Sequence, residues 1–243
     1  MSREKAQQFL TEALGIDFPY VSMGKIDSLD LWGPTELMIL QIYKENRDRW
    51  KIALDIGANL GLHSLLMAQL GWYVDAYEPD PGIFKMLGKN IYNNKFALAR
   101  VNCHEAAVHA TKRHKMNFIR VHNNLTGSHL EGFKDSYGPR DTIVVKTVNC
   151  ADLWNKCDFA KIDSEGNEAE LAKTMTAEHM KRLSCVMEVR NAQNAAALFL
   201  HFQSIGVPIW AQKIDWRQVN DVSDMPVINR EGSIFVGHVG PWE

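Results

Sequence analysis

From Lys51 onward the chain alternates short apolar runs, bounded by turn residues, with longer amphipathic stretches. That alternation is the pattern of β-α-β units feeding a parallel sheet, whose strands read as continuously apolar because helices cover both faces. It predicts strands near 51–56, 73–78, 98–102, 158–163, 184–189, 207–211 and 232–237. Helices are expected at 62–70, 81–93, 167–175 and 192–204, the last stopped by Gly206. Residues 1–50 read differently. Glu4 to Leu14 lacks helix breakers, and Pro34 takes a favoured first helical position ahead of Leu37, Leu40 and Tyr43. This gives an expected N-terminal helical flank or lid (1–50) on a single α/β domain (51–243).

Between Ala107 and Cys150 the alternation is interrupted by two β-like runs, Met116 to Val121 and Thr142 to Val148, around a polar loop. A surface that meets substrate would be built there, since loops on a rigid scaffold carry specificity. The charge run Lys112-Arg113-His114-Lys115 reads as solvated loop.

Composition narrows the partners. Hydrophobic residues make up 46% and charged residues 23% of 243 positions, which places the chain among folded globular proteins. With 27 basic against 29 acidic residues, the net charge of −2 supplies no overall positive field, so nucleic acid is not expected as a partner. No apolar run is long enough to span a bilayer. Cys103, Cys150, Cys157 and Cys185 form no C-x-x-C pair, and no apolar signal core follows Met1 to Lys5, so reduced thiols and a cytoplasmic location are expected.

The chemistry gathers at strand ends. Ile52 to Ile56 runs into Gly57-Ala58-Asn59-Leu60-Gly61, and open parallel sheets bind ligands at that carboxyl edge. A dinucleotide turn prefers G-x-G-x-x-G; here Asn59 stands where a bare backbone would approach a pyrophosphate, which suits a cofactor without phosphates. Glu78 closes the second strand, where a carboxylate can take both ribose hydroxyls of an adenosine. After the third strand, Glu105 and Ala106 should pass the adenine edge. Asp55, Gly57, Asn59, Gly61, Glu78, Glu105, Ala106 and Asp163 are therefore the candidate cofactor residues.

Four segments together, Leu54 to Gly61, Tyr77-Glu78-Pro79-Asp80, Asn124 to Ser128 and Ala160 to Glu168, resemble class I methyltransferases, and the K-I-D-x-E-G run at Lys161 to Gly166 resembles their FkbM type. The resemblance covers roughly residues 50 to 190. It implies a Rossmann-like, doubly wound, mostly parallel seven-stranded sheet with an antiparallel last strand. It also implies S-adenosyl-L-methionine as cofactor, S-adenosyl-L-homocysteine as product, and methyl transfer, usually to a hydroxyl of a sugar, glycan or small metabolite.

On that reading Asp163, at the end of the fourth strand, is the first choice for general base, with Glu165, Lys161 and His129 as further catalytic candidates. Asn124, Thr126, Ser128 and Glu188 are candidates to meet the acceptor. Asp163, Glu165 and Glu188 have the oxygen chemistry for Mg²⁺, but no ligand spacing demands a metal, and none is assigned. Two alternatives stay open: an NAD-linked oxidoreductase on a similar sheet, and a cofactor-binding relic without turnover.

Overall fold

The computed structural model describes residues 2–24, 26–122, 125–135 and 138–243. Helix α1 (Arg3–Leu14) is capped by the Ser2 hydroxyl and closed by Gly15 in a left-handed conformation. A 3₁₀ turn (Ser28–Trp32) leads into α2 (Pro34–Glu45), with Pro34 in its first turn. The alternation then begins: β1 (Ile52–Ile56), α3 (Leu62–Gln69), β2 (Tyr73–Tyr77), α4 (Pro81–Asn93) and β3 (Val101–His104). Asp80 starts α4 by accepting the amides of Gly82 and Ile83, next to Pro81 in the first turn, so both start signals coincide.

The interruption follows as β4 (Ala107–His109), β5 (Lys115–Val121), β6 (His129–Leu130) and β7 (Arg140–Asn149). The chain returns with β8 (Phe159–Ile162), α5 (Glu168–Ala172), α6 (Ala177–Met180), β9 (Ser184–Glu188), α7 (Ala192–Ser204), β10 (Ile209–Ala211), β11 (Arg217–Gln218) and β12 (Ser233–Val236).

The main sheet has the order β11-β10-β12-β9-β8-β1-β2-β3, and a second, four-stranded sheet is ordered β4-β7-β5-β6. Strands β3, β2, β1, β8 and β9 pair in parallel, whereas β12 lies antiparallel between β9 and β10. The doubly wound, mostly parallel sheet and the antiparallel last strand are as expected. The strand number is not: the two-residue β11 extends the edge beyond β10, giving eight among the described residues. Two boundaries also move. The third strand begins at Val101 because residues 94–100 form turns, and the helix expected over 167–175 is shortened to α5, with α6 a separate short helix beyond it.

The central strands β1, β8 and β9 bury both faces, and alternate residues go to two different cores. Leu54, Ile56, Ala160, Ile162 and Met187 join the core under α5 and α7. Ala53, Phe159, Val186 and Val74 join the other, which includes Trp32, Ile39, Ile42 and Tyr43 from the N-terminal residues. Residues 1–50 therefore contribute to the main core rather than resting on it. Tyr43, Trp50 and Trp72 all pack on the Phe159 ring, with centroids 4.4–5.8 Å away. Among the described residues no helix is long and apolar enough to cross a membrane, and all four cysteines are free thiols.

Phe159→Ala removes the ring on which these three aromatics meet and is expected to cost about 3–5 kcal/mol, measured as a lowered urea midpoint at unchanged slope.

Candidate active site

The turn after β1 is shaped by one close approach. Gly57 has φ +78°, and a Cβ there would lie 1.8 Å from the carbonyl oxygen of Asp163, so only glycine lets β1 and β8 end side by side. Asn59 is also left-handed, at φ 51°. The amides of Gly57 and Ala58 both donate to the Tyr77 carbonyl, Asn59 to Glu78 Oε2 at 3.0 Å, and Gly61 to the Ala58 carbonyl. These four N–H groups are all used within the protein and form no open nest for a phosphate.

A cleft with a cavity volume of about 120 Å³, open to solvent, lies over this edge. Glu78 and Asp80 line one side, Asp163, Ser164 and Glu165 another, and Ala106, Val108 and Phe118 give it an apolar end. Glu78 is 7% exposed, and its second oxygen accepts the Asp80 amide at 2.9 Å. Burial pushes its carboxyl up to about 7, against the pull of those two amides. Asp80 is held in turn by Arg120 of β5 at 2.5 and 2.9 Å, which ties the small sheet to the rim.

Lys161 and Asp55 are direct partners in the β1–β8 register. Lys161 Nζ donates to the Gly57 carbonyl at 3.2 Å and to Asp163 Oδ2 at 3.3 Å, and lies 3.7 Å from Asp55 Oδ1. Burial opposes its charge, but Asp163, Asp55 and Glu36 together outweigh burial and raise its pKa. For Asp163 burial works upward, yet Lys161 and a hydrogen bond from Glu188 win and keep the carboxylate ionised. Glu188 is the protonated member of that pair, raised well above the ordinary range by burial and by Asp163.

The loop beyond β8 is set by a carboxylate that lies in the recognised motif but was assigned no role from sequence. Glu168, wholly buried, accepts from the Ser164 amide and hydroxyl and from the Gly166 amide. This holds Glu165 at φ 63°, a strained conformation for a side chain other than glycine. Gly166 is required because a Cβ would meet the Phe133 carbonyl at 2.6 Å. Glu165 itself meets Arg190 and, at 2.8 Å, Lys134; Arg190 also bonds Glu188 at 2.8 Å. Burial lifts Glu165 to about 7 against both cations. Carboxylate oxygens of Asp163, Glu165 and Glu188 lie within 4.8 Å of one another, but Arg190, Lys134 and Lys161 already neutralise the group.

The structure thus brings Gly57, Asn59, Glu78, Ala106, Asp163, Glu165, Thr126 and Ser128 to one cleft. Lys161 lies beneath them and Glu188 against Asp163. Other candidates stand elsewhere. Asp55 is fully buried under the turn, bonded to Ser64 Oγ at 2.6 Å, and does not reach the cleft. Gly61 caps α3 against Leu87, and Glu105 is exposed outside the cleft wall. His129 is 1% exposed within β6, its Nδ1 donating to the Gly127 carbonyl at 2.9 Å, and it is not among the residues that line the cleft. Asn124 lies outside the described residues. Arg120, Lys134 and Arg190 were missed because the carboxylates that bring them to the site, Asp80 for the first and Glu165 for the other two, are distant in sequence.

A doubly wound sheet with an antiparallel strand inserted beside the fifth, and a cleft over the carboxyl ends of its first, second and fourth strands, is the fold of class I methyltransferases. Comparison with solved structures agrees. The human methyltransferase 10 domain containing protein aligns over 98% of this chain and 97% of its own, with TM-score 0.53 and 15% identity. The hMettl16 catalytic domain, solved in complex with MAT2A 3′UTR hairpin 1, aligns over 98% of this chain and 79% of its own, with TM-score 0.51 and 15% identity. No family model matches the sequence, and no curated protein matches it.

Gly57→Ala adds both the clash with Asp163 and left-handed strain, and is expected to cost about 3 kcal/mol or more in chemical denaturation.

Proposed function

We propose that this chain is an S-adenosylmethionine-dependent methyltransferase of the FkbM type, acting on a hydroxyl of a sugar, glycan or small metabolite. The observation that carries the reading is the turn after β1: the amides of Gly57, Ala58, Asn59 and Gly61 are consumed internally, while carboxylates face the cleft from two sides. A pyrophosphate would find those four amides already bonded and would face the Glu78 and Asp163 carboxylates, which disfavours the NAD-linked alternative. A phosphate-free cofactor with a cationic centre suits both features.

Glu78 would hold the ribose, because each of its oxygens has accepted one amide and retains a lone pair for a hydroxyl. Ala106, Val108 and Phe118 would receive the adenine, and Asp163 lies at the cationic end. When bound, the cofactor supplies a methyl group made electrophilic by its sulfonium. The protein's part is to orient the acceptor oxygen, exclude water and remove its proton. Asp163 is ionised and borders the cleft, so the hydroxyl proton goes to its carboxylate. Glu188 and Lys161 fix that carboxylate in place. Mg²⁺ has no part in this scheme.

A second reading concerns the acceptor. Net charge alone argues against nucleic acid, but charge is not evenly spread. Lys112 and Arg113 are exposed in the loop before β5, Lys115 and Lys146 are exposed on the small sheet, and Lys115 and Lys146 stand directly opposite each other in the β5–β7 register. Like charges so placed repel, and a phosphate backbone would relieve them. Together with the hairpin RNA bound by one domain of this fold, the patch makes RNA the alternative acceptor. Retention of a hairpin RNA that weakens steeply from 50 to 200 mM salt would favour it; no retention at low salt would remove it.

Calorimetric titration is expected to show saturable binding of S-adenosylhomocysteine and none of NAD; no binding of the former defeats the proposal. Affinity should fall about tenfold from pH 8 to pH 6, because only ionised Glu78 accepts from the ribose and its pKa stands near 7. Glu78→Gln should bind weakly and lose that pH dependence. Asp163→Asn should retain binding while turnover on a competent acceptor drops about 10²–10⁴-fold.

A further inference from the structure

Asp55 has an oxygen with nothing to do. Oδ2 accepts from Ser64, but Oδ1 is buried and lacks a hydrogen-bond partner. An unpartnered carboxylate oxygen out of reach of water is costly, so its retention needs a cause. The nearest cation is Lys161, whose Nζ stops 3.7 Å away while bonding Gly57 and Asp163. An ammonium carries three N–H groups, and these two partners leave one.

We infer that Asp55 is a standby counter-ion for Lys161, and that the ammonium passes from Asp163 to Asp55 when Asp163 takes up a proton. The Gly57 carbonyl is the pivot, since it accepts from Nζ in both positions. Closing 3.7 Å to hydrogen-bond length takes a movement of about 1 Å, within the reach of a four-carbon side chain. The inference rests on the reading of Asp163 as proton acceptor. There the hydroxyl O–H bond breaks, its electron pair stays on the acceptor oxygen, and a new O–H bond forms on Asp163, which becomes neutral.

The arrangement answers a difficulty in that reading. With Lys161 held close, Asp163 is a weak base. As the ammonium leans toward Asp55, the proton affinity of Asp163 rises, and a buried cation is never left alone when its partner loses charge. Glu36 from α2 and Glu78 at the end of β2 also act on the ammonium, and Tyr43 lies near both aspartates. Among the described residues, the carboxylates within 4 Å of it are those of Asp55 and Asp163.

Asn at position 163 mimics the protonated aspartate, so a stability cycle reads the exchange without any acceptor. Asp55→Asn and Asp163→Asn should each lower Tm by a few degrees, because the other carboxylate takes the ammonium. The double variant should lose at least twice the sum. That excess should shrink from pH 7 to pH 10: an unpaired buried lysine has a folded pKa below its unfolded one, so stability recovers as pH rises. In crystals of Asp163→Asn, Nζ is expected about 2.9 Å from Asp55 Oδ1.

Additive losses, or an excess that does not vary with pH, would overturn the counter-ion role. If the double variant does not fold, adding Lys161→Met should restore folding, and failure of that triple variant also overturns the inference. Native protein that does not bind S-adenosylhomocysteine defeats the methyltransferase reading. Normal binding with an additive cycle defeats only the role of Asp55.

Discussion

One buried ammonium holds the site together. Lys161 stands opposite Asp55 in the parallel register, so β1 and β8 bring opposite charges onto the same face beneath the cleft. The same nitrogen bonds the Gly57 carbonyl in the turn and the Asp163 carboxylate at the strand end. The turn that shapes the cleft and the carboxylate that borders it are thereby fixed to a single point. Because the cation is buried, it must keep at least one carboxylate partner: removing both without replacement strands a charge in a low-dielectric interior.

A second layer fixes what the first orients. Glu168 sets the loop bearing Glu165, Arg190 joins Glu165 to Glu188, and Lys134 links Glu165 to the small sheet. At the other rim Arg120 fastens the small sheet to Asp80, at the start of α4. The inserted segment is thus joined by ion pairs to both sides of the cleft. Phe118 and Leu130, which line the cleft, pack in the small sheet's own apolar cluster.

Much of the fold was legible in the chain because its signals are local. Asp80-Pro81 marks the start of α4, and the apolar runs at 52–56 and 184–188 are too short for anything but buried strands. The ends of β2 and β8 could be read as site positions for the same reason. What could not be read depends on distant pairing. That Asp55 faces inward rather than into the cleft follows from the β1–β8 register and from Ser64 lying over it on α3. Likewise His129 looks like a base in a polar loop, and only the pairing of β6 with β5 buries it. The two-residue β11 has no pattern long enough to detect.

The placement of β12 bears on how the chain is made. This strand follows all the others in sequence, yet it lies between β9 and β10 and bonds to both. As the polypeptide emerges from the ribosome, β1, β2, β3, β8 and β9 can associate in order, leaving β9 with an unpaired edge. Strand β10 has no neighbour in the parallel block until residues 233–236 arrive to bridge it. The nascent molecule therefore carries an open hydrogen-bonding edge until residues 233–236 have emerged, the condition under which chaperone engagement matters most.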